Sequence, residues 1–204
     1  MRKAGAEGLV RAALQVIAHD GLADASLRAI AQAAGVSEPA IYRHFGSKRD
    51  LLGELFRRCA GSLYTYLDEG RSAAEGALAQ VAALAGAFLD FALDYPEEYA
   101  FIAAVHQQQL RHLNLRAERL PKDLFVEAIE ALQAERGGSA LPASLAAGTI
   151  IGAVMGVVLF WGLGQAGASR QACRDHAVHT ATCVALASCG RPHGHEEASQ
   201  WDGR

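Results

Sequence analysis

An all-α fold follows from three features of the 204-residue sequence. Half of its residues are hydrophobic, led by alanine and leucine, while only five are proline and β-branched runs are short; that composition suits helices rather than sheets. Apolar residues recur at steps of three and four along most of the chain, the period of a helix that buries one face. Between Ser26 and Leu52, two short helical stretches meet at a glycine turn. Together these predict about nine helices: an N-terminal three-helix helix-turn-helix domain at residues 1–48, a helical bundle at 49–190 and a polar tail at 191–204.

The first helix spans residues 6–20, with Val10, Ala13, Leu14 and Ile17 on one stripe and Gly21 at its end. Arg2 and Lys3 precede it on a short basic arm. Ser26 caps the second helix, whose Leu27, Ile30 and Ala34 share a face. Gly35 stops that helix, because glycine enters the left-handed region without a Cβ penalty. Ser37 is an N-cap for a third helix reaching about Phe45, with Pro39 in its first turn and Ile41 and Phe45 turned back on the second. Gly46 ends it. Ser47 and Asp50 form a capping box for a fourth helix that runs to about Asp68, with Leu51, Leu55, Cys59 and Leu63 inward. The stretch from Gly70 to Gly76 reads as a break.

Residues 77–94 are apolar nearly all round, which places that helix at the centre of a bundle. Pro96 and Pro121 open two more helices. Between them, residues 106–116 are unusually polar. No charged residue occurs between Ala140 and Ser169, where Gly148, Gly152 and Gly156 repeat at every fourth position. A final helix spans about Arg170–Ser188, with Val178, Val184 and Leu186 among its alanines and Cys173, His176, His179 and Cys183 along it.

Two helices crossing at a glycine turn, the second presented outward, form the helix-turn-helix that enters the DNA major groove. The particular residues go further. Gly35-Val36-Ser37, then Ile41-Tyr42-Arg43-His44-Phe45, Gly46-Ser47-Lys48 and Leu51-Leu52, resemble the DNA-binding domain of the TetR family of bacterial regulators, over roughly residues 9–56. Arg43 is the leading base reader, because its fork matches the O6 and N7 acceptors of guanine. Ser37, Glu38, Pro39 and Ala40 border the same edge, Pro39 and Ala40 as partners for thymine methyls. The resemblance implies that Tyr42 and His44 hold phosphates, with Ser26, Arg28 and Lys48 beside them. It also implies a palindromic double-stranded operator, a homodimer and a small-molecule effector.

The charge distribution agrees with a DNA-binding head. Residues 1–58 carry nine Lys/Arg against six Asp/Glu, so the remainder of this chain of net charge −3 sums to −6. For the effector, largely apolar by the character of the bundle, Phe88, Phe91, Tyr99, His106, Phe125 and Trp161 are the candidate lining. Gly148, Gly152 and Gly156, with His179 and Cys183, are assigned to the dimer interface, since a glycine stripe lets two helix backbones approach. The uncharged stretch is long enough to cross a bilayer, but a single such segment behind a DNA-binding head reads as an interface helix, so no membrane partner is expected. His179 and Cys183, one turn apart, offer an alternative reading as a metal or thiol sensor completed by a second subunit; no metal or other cofactor is assigned. A catalytic reading finds no G-x-S-x-G elbow, phosphate-binding glycine loop or HExxH helix, so no enzyme is expected. Four cysteines and no apolar leader suit a reduced cytoplasmic protein.

Overall fold

The computed structural model describes residues 5–108 and 119–190, with the side chains of 106–108 outside that description. Among the described residues there are nine helices and no strand, apart from an isolated antiparallel bridge between Ser139 and Cys189. The helices are α1 (Ala6–Asp20), α2 (Leu27–Ala33), α3 (Glu38–Ile41), α4 (Lys48–Ser72), α5 (Ala77–Asp94), α6 (Pro96–Gln108), α7 (Pro121–Glu135), α8 (Ala143–Gly162) and α9 (Arg170–Ala187). The chain divides into two compact units, one of Met1–Tyr66 with Phe91–Pro121, the other of Leu67–Asp90 with Lys122–Arg204.

In the first unit α1 packs on α2 and on α6. Leu9, Ala13, Ile30, Ile41, Leu51 and Leu55 are almost wholly buried in one core, joined by Phe101 and Val105 of α6. Each aliphatic side chain of that size contributes about 1.5–3 kcal/mol by leaving water. Phe91 closes a small aromatic group, with its ring centre 5.7 Å from Tyr66 and 5.0 Å from Tyr95.

In the second unit α5 is apolar on every side because its neighbours cover it on several. Val81, Leu84 and Leu89 have no exposed surface, and neither do Leu124 and Ile129 of α7. Gly70 is not the break its sequence context suggests, since α4 continues through it to Ser72. A Cβ at Gly70 would stand 3.3 Å from the Ala87 methyl, so the glycine serves a close approach of α4 to α5.

α8 and α9 pack together through small residues. α8 buries Ala143, Ala146, Ala147, Ile150, Val154 and Val158; α9 buries Cys173, Ala177, Ala181 and Ala185. Val178 and Val184 of α9 are half-buried and Leu186 is exposed. By length and composition alone, α5 and α8 could cross a membrane; 56% of that window in α5 is buried, against 28% in α8.

Candidate nucleic-acid interface

The candidate site is assembled by three short structural devices. Ser26 caps α2, its Oγ accepting from the Ala29 amide at 3.1 Å. Gly35 takes φ +67, a left-handed turn only glycine adopts readily, and its amide bonds to the Gln32 carbonyl at 3.1 Å. The Val36 amide follows to Ala31 at 3.0 Å, which fixes the angle at which the chain enters α3. Ser47 then caps α4: its Oγ accepts from the Asp50 amide at 3.2 Å and its hydroxyl donates to the Asp50 carboxylate at 2.9 Å.

Between these caps stands α3, and it is shorter than the sequence suggests. Regular helix covers Glu38–Ile41 only, and the chain continues as turns. The amides of His44 and Phe45 both donate to the Ile41 carbonyl, each at 2.9 Å. Ile41 and Phe45 are thereby buried, and Tyr42, Arg43 and His44 are held outward as one exposed run; Tyr42 keeps 52% of its surface. His44 tilts against Phe45, with ring centres 6.4 Å apart.

The other sequence-selected residues fall around this run. Ser26, Arg28, Ser37 and Pro39 are exposed, while Glu38 and Lys48 are half-buried at the starts of α3 and α4. Ser37 makes no side-chain cap bond. Ala40 is a correction: only 8% of it is exposed, because its side chain turns into the core rather than toward the outer edge. Among the described residues Arg28, Tyr42, Arg43 and Lys48 form no ion pair and no side-chain hydrogen bond. Four Lys/Arg against one Glu occur between residues 26 and 49, so this edge carries net positive charge, and Arg28, Arg43 and Lys48 hold theirs without an ion-pair partner among the described residues. Arg49, exposed beside Lys48, is a basic neighbour that the sequence reading did not select.

The residues chosen as effector lining are distributed over both units. Phe91 and Tyr99 belong to the first, where Phe91 is buried and burial raises the Tyr99 phenol above its ordinary pKa. Phe88 and Phe125 form a buried edge-to-face pair in the second, 6.3 Å between centres, and Trp161 is half-buried on α8. The His106 side chain lies outside the described residues, as do Arg2, Lys3 and the tail from 191 onward. A cavity of about 340 Å³ opens instead at the C-terminal end of α8, bordered by Gly156, Val157, Phe160, Gln165, Cys173 and His176 among small alanines. None of the six selected residues borders it. Gly148 and Gly152 are exposed and Gly156 half-buried, all with open space where a Cβ would stand. His179 and Cys183 are exposed on α9.

Residues 9–55 match the family model described as bacterial regulatory proteins, tetR family. Three solved structures are similar over nearly the whole chain. A protein with unknown function from Rhodococcus sp. RHA1 is 28% identical, with 87% of this chain and 93% of that one covered and a TM-score of 0.71. A TetR family transcription regulator from Marinobacter aquaeolei VT8 is 16% identical, covering 88% and 94%, with a TM-score of 0.73. The transcriptional regulator FadR from Bacillus subtilis, solved in complex with stearoyl-CoA, is 20% identical, covering 87% and 98%, with a TM-score of 0.67. At their low identity the last two speak for a shared fold.

Proposed function

We propose that this chain, a TetR-family transcription regulator by the domain it carries at residues 9–55, is a cytoplasmic repressor that grips a palindromic operator as a homodimer. It leaves that operator when a small, largely apolar effector binds the helical bundle. The observation that supports this most is the outward run Tyr42-Arg43-His44, with Lys48 close in sequence and no carboxylate committed to any of them among the described residues.

In the proposed complex Arg43 reads a guanine edge, with Ser37, Glu38 and Pro39 along the same groove. Ser26, Arg28, Tyr42, His44 and Lys48 hold the backbone phosphates. The two copies of α3 then sit about one DNA turn apart, roughly 34–36 Å. The α8 surface supports the dimer: Leu145, Leu159, Phe160 and Leu163 are all more than half exposed on a stretch without charge. A second copy of this chain would remove them from water. The effector acts by favouring the conformer that fits the operator less well, by an amount equal to its difference in affinity for the two. The fold-level likeness to a regulator solved with stearoyl-CoA makes a long-chain acyl-CoA the first ligand to try.

The test is selection of duplexes from a random pool, followed by binding at several salt concentrations and with added stearoyl-CoA. A symmetric consensus whose affinity falls steeply with salt supports the reading, since each neutralised phosphate releases counterions. No selected consensus, or binding indifferent to salt, overturns it. Release by the acyl-CoA supports the effector class; indifference to it removes that class and leaves operator binding standing.

A further inference from the structure

On α9, Cys183 Sγ lies 3.6 Å from His179 Nε2. The two residues are one helical turn apart and both are exposed. The buried stripe of α9 runs through Cys173, Ala177, Ala181 and Ala185, and a step of 100° per residue places His179 on the opposite side of the helix. The pair therefore points away from its own unit. Among the described residues no group of three or more His, Cys, Asp or Glu side chains converges on one point. One chain alone offers two ligands and no more.

We infer that two copies of this pair, brought together across the two-fold axis of the dimer, form a tetrahedral site for zinc(II) with two thiolate and two imidazole ligands. This rests on the homodimer proposed above. The distance fits the ion. Zinc binds thiolate sulfur at about 2.3 Å and imidazole nitrogen at about 2.0–2.1 Å, so two such ligands at a tetrahedral angle stand about 3.6 Å apart. The spacing of the pair already matches one edge of the tetrahedron, and a turn of the imidazole ring aims its nitrogen at the ion. An isologous interface repeats every contact, so an edge near the axis meets its own copy and supplies the other edge. Soft sulfur with imidazole in a four-coordinate arrangement selects zinc over magnesium or calcium, which take oxygen ligands. Binding displaces the thiol proton of each Cys183, because the thiolate is the ligand. A metal held this way ties one α9 to its mate and makes the dimer depend on the ion.

Untagged, reduced, full-length protein is titrated with cobalt(II), a spectroscopic stand-in for zinc, while the mass of the particle is followed by light scattering. The expected result is one ion per two chains, with a thiolate-to-metal charge-transfer band and the intense visible bands of a tetrahedral centre. C183S abolishes the charge-transfer band. H179A lowers zinc affinity by more than the ~10- to 100-fold that loss of a supporting hydrogen bond costs. C189S leaves both unchanged, because the Cys189 thiol donates to the Ala185 carbonyl and takes no part in the site. A dimer that binds no cobalt, one ion per chain, or a band that survives C183S overturns the zinc site and leaves the dimer standing. A monomer at every concentration tested overturns both.

Discussion

Arg174 lies across the backbone of Gly86 while its Nε donates to Asp90 at 2.8 Å. A Cβ at position 86 would stand 2.7 Å from Nη2 of that arginine. Arg170 shares the same carboxylate at 3.0 Å, so Asp90 on α5 ties two turns of α9 to the bundle. The absent side chain at Gly86 is what lets the guanidinium lie flat.

Opposing magnitudes decide what happens when Gly86 is filled. Alanine is better than glycine inside a helix by about 0.8–1.0 kcal/mol. A part-exposed Arg–Asp pair contributes about 0.2–1 kcal/mol, and Arg174 can swing away because its far end is flexible. Gly86→Ala is therefore expected to leave stability within ~0.5 kcal/mol of the parent, whereas in an Arg174→Ala background the same change stabilises by ~1 kcal/mol. Urea unfolding of the four proteins measures the coupling. Strict additivity would show that the arginine and the glycine do not depend on each other.

Gln133 is one of two buried polar side chains in the described core, and its partner is the other. Its Nε2 donates to the Leu141 carbonyl at 2.9 Å, the Ser188 Oγ at 3.1 Å and the Ser188 carbonyl at 3.2 Å. It joins the end of α7 to the start of α8 and the end of α9. Replacement by leucine does not strip these acceptors bare. Leu141 still accepts from the Ser139 hydroxyl, and Ser188 still accepts from the Ala140 amide. The expected loss is thus ~1 kcal/mol, at the low end for a buried polar group. Gln133→Ala adds a cavity and is expected to cost ~1 kcal/mol or more beyond that. Equal effects of the two changes in thermal or urea unfolding would rule out this account of the knot.

The four cysteines differ in what surrounds them. Burial, with the nearby Glu98 charge adding to it, pushes the Cys59 thiol up to about 12. The folded pKa is raised, so at pH 8 only about one part in ten thousand is thiolate, and that fraction grows only as pH approaches 12. Cys173 is buried and Cys189 half-buried, while Cys183 is open to solvent. A thiol reagent added to metal-free protein at pH 8 is expected to modify Cys183 first. Cys59 should react only once the protein unfolds. Peptide mapping after a short exposure checks this; early labelling of Cys59 would mean that the first unit opens locally.

The helix-turn-helix was legible in the sequence because its instructions are local. Ser26, Gly35, Ser47 and Asp50 act on backbone within three or four residues, and the structure shows each in its place. Ala40 was assigned to the outer edge, yet within the single turn of α3 it is buried beside Ile41, and a helix that short gives no repeat from which to read its buried side. Gly70 was misread as a break because a glycine that admits a neighbouring helix has the same sequence appearance as one that ends its own. The Gln133–Ser188 knot and the Arg174–Gly86 approach join residues far apart in the chain, and no local pattern announces either. The cavity beside Phe160 lies in the same class, since it exists only where α8, its following loop and α9 come together.

Operator binding separates the two kinds of contact proposed for the head. Arg43 and Lys48 both carry one positive charge, yet they should fail differently. Arg43→Ala removes a fork fitted to one base, so it is expected to cost about 1–3 kcal/mol on the preferred duplex and to relax preference at a single position in each half-site. Lys48→Ala removes a charge that reads no base. It should weaken all duplexes alike and lower the steepness of the salt dependence by about one per half-site. Both side chains reach solvent, Arg43 exposed and Lys48 half-buried, so neither change should disturb folding; circular dichroism confirms that before binding is measured. Competition between the preferred and a scrambled duplex, across a salt series, distinguishes the outcomes. If Arg43→Ala weakens both duplexes equally while Lys48→Ala changes their ratio, the two assignments are exchanged, and the edge that meets the bases is the start of α4 rather than the turn after α3.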